Sequence, residues 1–260
     1  MAHPSRAVCQ LLAATLAFAA CGGTDREPAP SGFGRGTEVS YATSDGVKIS
    51  ATLRLPPGRA PRPIPAVVLV HQLGGDRHDF NALLPALGRA GYATLAYDIR
   101  GTGRSNGMVD GTVFRPGTDR AAYVAMMPRD VTAALRYLRG RPDIDGERIA
   151  VVGSSWGANV AIAASRLPGG PAATVAVSPI ADTIARSVQR RGRPRGVLLI
   201  ADRAELGSAW ELARGFGRPG RVALAQREGH GVMLLPDRAV RAEILDWLAR
   251  LMDGERTAVR

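Results

Sequence analysis

Cysteine is almost absent from this chain of 260 residues, which contains only Cys9 and Cys21. Both lie near the amino terminus, so a framework of disulfide bonds is excluded for the rest of the chain. A domain of more than about 200 residues buries roughly 70% of the surface of its unfolded chain, which is enough to stabilise it without such bonds. We therefore expect a fold held together by its apolar core alone.

Lysine is equally scarce, since Lys48 is the only lysine among 34 basic residues, and the formal net charge is +11. We attribute this excess of arginine to coding composition, because the basic residues are not interleaved with aromatic residues and no nucleic-acid-binding motif is present. No nucleic-acid partner is therefore expected.

The four histidines do not have the spacing of metal ligands, and there is no P-loop. We expect neither a metal ion nor another cofactor.

No apolar run near the amino terminus is long enough to cross a bilayer as a helix. Residues 11–20 form a short apolar stretch that follows the basic Arg6, a pattern typical of a signal peptide over residues 1–20. The end of this stretch, Phe18-Ala19-Ala20-Cys21, resembles the cleavage box of bacterial lipoproteins. This resemblance implies an exported protein of the cell envelope, anchored to a membrane by lipid on Cys21, at the periplasmic or surface face. The alternative is an ordinary secretory signal with an incidental cysteine.

Residues 21–36 have no apolar period and are rich in glycine and proline, which predicts a flexible tether. One globular domain is predicted over residues 37–254, followed by a tail at residues 255–260. Within the domain, apolar strands alternate with helices, which indicates an α/β fold with a mostly parallel sheet covered on both faces. Strands are predicted at 38–42, 48–55, 66–70, 93–98, 149–153, 173–177, 197–201 and 222–225. Helices are predicted at 79–91, 128–139, 156–165, 208–216 and 237–252.

The most informative motif is Gly153-Ser154-Ser155-Trp156-Gly157, which has the pattern G-x-S-x-G. It follows a predicted strand and precedes a run of small residues that favours a helix. A tight turn between a strand and a helix forces the central serine hydroxyl out of the sheet, and only glycine fits at the flanking positions. Ser155 is therefore the predicted nucleophile.

A serine hydroxyl is a weak nucleophile near neutral pH, and it needs a base within hydrogen-bond reach and an acid that orients this base. In one of the known chain orders the acid and the histidine follow the serine. Only His230 satisfies that order, because the other three histidines precede Ser155. His230 lies in a glycine-flanked loop before the last predicted helix. The alternative interpretation is a surface histidine in a glycine turn.

Two acidic residues follow the predicted strand 197–201, and both are candidates for the acid of the triad. We favour Glu205, because the loop after the strand needs a few residues to turn toward the histidine. Asp202 is the alternative acid, although it lies almost on the strand itself, where capping or a local turn is its other possible role.

Two backbone amides are candidates for an oxyanion hole. Trp156 directly follows the nucleophile, and Leu73 lies in the glycine-containing turn after the predicted strand 66–70. Each such donor contributes about 10²- to 10³-fold in rate. His71, which begins this turn, is interpreted as a structural residue beneath the loop. The irregular segment 104–127 is expected to form an apolar wall over the serine.

Together these motifs resemble the α/β-hydrolase superfamily in its dienelactone-hydrolase-like branch. The resemblance extends from about residue 37 to residue 251, and the matching segments are 70–75, 97–105, 153–157, Glu205 and 229–231. In similar proteins the acid falls five residues after the last apolar residue of its strand, which from Ile200 gives Glu205. Two departures are Gln72, where many relatives have glycine, and a glutamate where aspartate is commoner.

This resemblance implies an α/β-hydrolase fold with an eight-stranded, mostly parallel sheet and little or no cap domain. It also implies a serine esterase that acts on a small-molecule ester or acyl substrate through Ser155, His230 and Glu205. Two alternatives remain open. One is a peptidase or amide hydrolase of the same superfamily, which shares the first chemical steps. The other is a non-catalytic binding lipoprotein that retains the fold.

Overall fold

The structure, a computed structural model, describes residues 33, 36–58, 62–181, 196–216 and 220–252. The predicted signal peptide, Cys21 and the tail at 255–260 lie outside the described residues. So do residues 182–195, on which the expectation of a small cap depends. None of the helices in the described part of the chain is long and apolar enough to cross a membrane.

A single sheet forms the centre of the molecule. Its strands are β1 (Thr37–Ala42), β2 (Val47–Arg54), β3 (Ile64–Val70), β4 (Ala93–Tyr97), β5 (Gly107–Met108), β6 (Ile144–Ser154), β7 (Ala173–Val177), β8 (Val197–Ala201) and β9 (Gly220–Leu224). The helices are α1 (Leu84–Arg89), α2 (Arg120–Met126), α3 (Pro128–Arg139), α4 (Trp156–Ala164), α5 (Leu206–Arg214) and α6 (Arg238–Met252), and a 3₁₀ helix spans Gly231–Leu234.

The order of strands across the sheet is β1-β2-β4-β3-β6-β7-β8-β9, and β5 pairs with β2 off this path. β1, β2 and β4 pair antiparallel, whereas every neighbour from β4 to β9 pairs parallel. The carboxyl ends of β3, β6, β7 and β8 therefore meet at one edge of the sheet. In parallel α/β sheets this edge is where ligands bind.

Both faces of the sheet are covered by helices. Alternate residues of β3 point to opposite faces, so that Val67 and Leu69 belong to one apolar cluster and Val68 and Val70 to another. The first cluster is completed by residues of α1 and α6, and the second by residues of α3 and α4. A third cluster joins α4 and α5 to β7 and β8. This burial of apolar side chains on both faces explains why the central strands read as nearly continuous apolar runs.

The predicted elements agree with the structure in the core and differ at its edges. β7, β8 and α3 have the predicted bounds. The helix predicted at 79–91 is limited to α1, with turns before it. The eight predicted strands form the main path, and β5 adds a ninth of only two residues. β5 pairs with the distant β2, and no apolar period in the sequence signals this pairing.

The predicted tether requires a correction at its end. Phe33 is buried and belongs to the same apolar cluster as Phe80 and Leu84. The folded core therefore includes a residue that precedes the predicted boundary at residue 37. A single large apolar residue among glycines has no periodicity, so the sequence pattern did not reveal this contact.

Candidate active site

The turn between β6 and α4 holds Ser155 in an unusual backbone conformation. Its φ is 53° and its ψ is −114°. Residues other than glycine rarely adopt this backbone conformation, which costs about 1–3 kcal/mol of conformational free energy. The amide of Ser155 donates to the carbonyl of Val177 at 2.8 Å, at the end of the neighbouring strand β7. The sheet therefore holds the strained turn in place.

The two glycines of the turn are required by close approach of the backbone. A Cβ on Gly153 would collide with the backbone of Gly157, and a Cβ on Gly157 would collide with the carbonyl oxygens of Val70 and His71. The turn consequently packs directly against the end of β3. This contact brings the loop after β3 beside the serine.

Ser155, His230 and Glu205 form one hydrogen-bonded chain. The Nε2 atom of His230 lies 2.7 Å from the Oγ atom of Ser155, and its Nδ1 atom contacts Oε1 of Glu205. If Nδ1 carries the proton and donates it to Glu205, Nε2 is free to accept the proton of the serine hydroxyl. The geometry thus has the order of nucleophile, base and orienting acid that the sequence predicts, and their catalytic role stays a prediction.

The three residues differ in their exposure to solvent. Ser155 is 5% exposed, whereas the side chain of Glu205 is 23% exposed and that of His230 is 46% exposed.

The alternative acid, Asp202, contacts the backbone of the same two loops. Its carboxylate accepts hydrogen bonds from the amides of Glu205 at 2.9 Å and Gly229 at 3.2 Å. Burial would raise the pKa of Asp202, but these amides, the amide of Ala204 and the nearby His230 outweigh it and hold the pKa below its ordinary value. Asp202 therefore fixes the position of the acid and of the histidine loop.

Both predicted oxyanion donors have free amides in the described part of the chain. Neither the amide of Leu73 nor that of Trp156 donates to another described residue. The amide of Trp156 is the first of α4, where the unpaired N–H groups of a helix favour negative charge. Leu73 lies in the loop that packs beside the serine, and its side chain is 55% exposed. Their participation in an oxyanion hole remains a prediction.

His71 lies beneath this loop and connects two strands. Its Nε2 atom accepts from the amide of Ile99 at 2.9 Å, and its Nδ1 atom lies 2.8 Å from the carbonyl of Gln72. The ring is buried, and among the described residues it makes no hydrogen bond to Ser155.

Two polar residues around the site, Ser178 and Gln72, were not singled out from sequence as functional. Ser178 follows β7 and accepts from the amide of Gly231 at 2.8 Å. The Oε1 atom of Gln72 accepts from the hydroxyl of Ser154 at 3.1 Å and from the amide of Val232 at 3.2 Å. Ser178 is the first residue after β7, and Gln72 is the second residue after β3. Both positions lie at the edge of the sheet where ligands bind, and this placement is the signal that could have identified them.

The segment predicted to form an irregular apolar wall contains α2. Asp119 caps this helix by accepting from the amides of Ala121 and Ala122. The guanidinium of Arg120 lies 4.2 Å from the centroid of the Trp156 ring, so the start of α2 rests on the residue after the nucleophile. Met108, Phe114 and Tyr123 of this segment pack against the same apolar cluster as Trp156.

No group of three or more histidine, cysteine or acidic side chains in the described part of the chain could hold a metal ion.

Comparisons with known proteins bear on the family and the fold of this chain. A family model described as X-Pro dipeptidyl-peptidase (S15 family) matches residues 45–214, a range that includes Ser155 and Glu205 and ends before His230. An uncharacterized 31.7 kDa protein from the traX-finO intergenic region of Escherichia coli is 31% identical over 124 residues. These residues cover 46% of this chain and only 37% of that relative, so the chain matches little more than a third of the relative's length.

Two solved structures show the same fold at low sequence identity. The esterase Pf2001 of Pyrococcus furiosus has a TM-score of 0.66 and 18% identity, over 84% of this chain and 93% of that chain. The dienelactone hydrolase of Anabaena variabilis has a TM-score of 0.66 and 20% identity, over 84% of this chain and 98% of that chain. The predicted fold class is confirmed.

Proposed function

The chain belongs to the X-Pro dipeptidyl-peptidase (S15) family, and on this premise we propose that it is a serine hydrolase that cleaves carboxylic esters through an acyl-enzyme. The observation that carries the proposal is the hydrogen-bonded chain from Ser155 through His230 to Glu205. The solved esterase and the dienelactone hydrolase of similar fold support an ester as the substrate.

The proposed reaction has two stages. His230 takes the proton of the Ser155 hydroxyl while its oxygen attacks the ester carbonyl. The free amides of Trp156 and Leu73 stabilise the oxyanion that forms, and Glu205 stabilises the imidazolium. His230 then gives the proton to the leaving alcohol, which leaves an ester between the acyl group and Ser155. Water activated by the same imidazole hydrolyses this acyl-enzyme and restores the serine.

A fluorophosphonate probe tests the nucleophile directly. We expect the probe to label the protein, and the labelled peptide to contain Ser155. The variant Ser155→Ala should lose labelling and ester hydrolysis while its circular dichroism spectrum and melting temperature stay close to those of the wild type. Ser40→Ala, at an exposed position of β1 on the opposite edge of the sheet from the strand that precedes Glu205, is the matched control and should retain both activities. Undiminished ester hydrolysis by Ser155→Ala would end the proposal, and a wild-type protein that never labels would favour a non-catalytic binding role.

The family match supports a second candidate, a peptidase that cleaves after proline. The same nucleophile and base serve both reactions, because acyl transfer from an ester or an amide passes through similar intermediates. We would compare kcat/KM for p-nitrophenyl esters and for X-Pro p-nitroanilides with the same preparation. Faster cleavage of the anilides would replace the esterase assignment by the peptidase assignment.

We also propose that the protein is exported and anchored to a membrane of the cell envelope by lipid on Cys21. The support is the sequence of residues 18–21 and the apolar run before them. The full chain should incorporate a labelled fatty acid and partition into the detergent phase, and Cys21→Ser should do neither. Incorporation of lipid by Cys21→Ser would contradict the anchor.

A further inference from the structure

The side-chain oxygen of Gln72 joins its own loop to two other segments of the site. It belongs to the loop after β3, and it accepts from the hydroxyl of Ser154, the residue before the proposed nucleophile. It also accepts from the amide of Val232, two residues after His230. Since a backbone amide can only donate, the atom that faces Val232 must be oxygen, which fixes the orientation of the Gln72 amide group.

The contact between these segments is tight. Ser154 is fully buried. A Cβ on Gly231 would lie 2.6 Å from the Ser154 hydroxyl and would collide with Oε1 of Gln72, and Gly231 has a φ of 60°. The histidine loop therefore lies directly on the pair formed by Gln72 and Ser154, at a position where only glycine fits.

The backbone of Gln72 also organises the oxyanion loop. Its carbonyl accepts from the amide of Gly75 at 3.1 Å and lies 2.8 Å from Nδ1 of His71. These bonds hold the turn whose next amide, that of Leu73, has no partner among the described residues. One residue thus connects the turn that offers an oxyanion donor with the serine turn and the histidine loop.

We propose that Gln72 is a positioning residue, whose Oε1 atom sets the relative placement of the nucleophile, the base and the oxyanion loop. The inference rests on the proposed function. Without this acceptor, the buried hydroxyl of Ser154 and the amide of Val232 lose their shared partner, and the histidine loop is free to shift from the serine. A displacement of about 1 Å at reacting groups can lower the rate about 100-fold. The effect falls on the chemical step and not on substrate binding.

The test compares two substitutions of similar length. Gln72→Met removes the acceptor, whereas Gln72→Glu keeps an oxygen toward Ser154 and Val232. We expect Gln72→Met to lower both kcat for a soluble ester and the rate of fluorophosphonate labelling about 10- to 100-fold, with KM within about twofold of the wild type. Gln72→Glu should recover most of this loss. Melting temperatures show whether each variant is folded.

A double-mutant cycle with Ser154→Ala identifies the path of the effect. Ser154→Ala alone should lower kcat about 3- to 10-fold, and its effect should be smaller in the Gln72→Met background because the two residues share one bond. Ser165→Ala is the control, since the Ser165 hydroxyl bonds the Ile162 carbonyl at the far end of α4 and should combine additively with Gln72→Met. Ser154→Ala also tests the proposal if Gln72→Met does not fold.

The outcomes separate this proposal from the proposed function. Wild-type kcat in folded Gln72→Met, or in Ser154→Ala, would overturn the positioning role while Ser155-dependent hydrolysis persists. An equal loss in kcat for Gln72→Met and Gln72→Glu would overturn it too. A wild-type protein without Ser155-dependent hydrolysis would remove the proposed function, and this inference with it.

Discussion

The carboxylate of Asp202 accepts the amide hydrogen of Gly229 at 3.2 Å, although the two residues are 27 positions apart in the chain. Through this bond the loop after β8 holds the loop that carries His230. The same carboxylate accepts from the amide of Glu205, so its role is to fix the two loops that bring acid and base together. Asp202 and Glu205 therefore differ in what their loss should do.

We predict a clear separation between Glu205→Gln and Asp202→Asn. Glu205→Gln keeps the shape of the side chain but stabilises neither the imidazolium of His230 nor the tautomer that can accept from serine, so kcat should fall about 10³- to 10⁴-fold. Asp202→Asn keeps an acceptor for the loop amides, so its kcat should fall about 10-fold or less. Steady-state kinetics of the two variants decide between them. The opposite order of losses would make Asp202 the acid of the triad.

The stability of the fold at acid pH should depend on Asp45. Burial alone would raise its pKa, but hydrogen bonds hold it well below the ordinary value, and their donors are Arg100, Thr43 and Arg129. A carboxyl group with a lowered pKa in the folded state stabilises the fold above its unfolded pKa of about 3.9, and this contribution is lost as the pH falls through the folded value.

We therefore expect the difference in unfolding free energy between the wild type and Asp45→Asn to be largest near pH 7. It should shrink as the pH falls below about 4. Urea unfolding at a series of pH values measures it. A difference that stays constant from neutral to acid pH would show that the charge of Asp45 does not contribute.

The buried pair of Arg100 and Asp130 should contribute strongly to the stability of the fold. Both side chains are fully buried, and Arg100 donates to the Asp130 carboxylate from Nε at 2.8 Å and from its backbone amide at 3.0 Å. Burial raises the pKa of Asp130 to about 6, so the pair is ionised above that pH. Removing Asp130 leaves the buried guanidinium of Arg100 with Asp45 as its remaining carboxylate partner, and its Nε loses its acceptor.

Asp130→Ala should therefore destabilise the fold by about 3–5 kcal/mol, measured by urea unfolding near pH 8. The control is Asp246→Ala, which breaks the exposed ion pair of Asp246 with Arg250 on α6. The free energy of unfolding of this variant should stay within about 0.5 kcal/mol of the wild-type value. Similar losses of unfolding free energy in the two variants would show that burial of the Arg100–Asp130 pair does not increase its contribution to stability.

The sequence predicted the core of the fold well because its signals are local. Apolar runs such as those of β7 and β8 mark buried parallel strands, and the pattern around Ser155 marks a strand, a turn and a helix. The contact of His230 with Ser155 was predicted from their order along the chain, and Glu205 from the length of the loop after its strand and from the spacing in similar proteins. The contacts of Gln72 with Val232 and of Phe33 with the core were not, since each depends on residues distant in sequence and has no local pattern.

The same distinction applies to the segment 104–127. It contains α2, which the sequence did not predict, although Asp119 is a good N-cap residue. The helix has only seven residues and one buried side chain, so it lacks the apolar period from which longer helices are predicted. Its stability depends on tertiary contacts, among them the stacking of Arg120 on Trp156.

The close approach at Gly157 leads to a final prediction. A Cβ at this position would collide with the carbonyl oxygens of Val70 and His71, which are backbone atoms of a central strand and its loop and cannot move aside alone. Gly157→Ala should therefore destabilise the protein by about 1–3 kcal/mol, or shift the serine turn and abolish labelling by the fluorophosphonate probe. The matched control is Gly207→Ala in α5, where an added Cβ meets nothing within 4 Å. Because alanine is the better helix former, this control should gain up to about 1 kcal/mol and keep wild-type labelling. If Gly157→Ala is as stable and as readily labelled as the control, β3 does not constrain the serine turn.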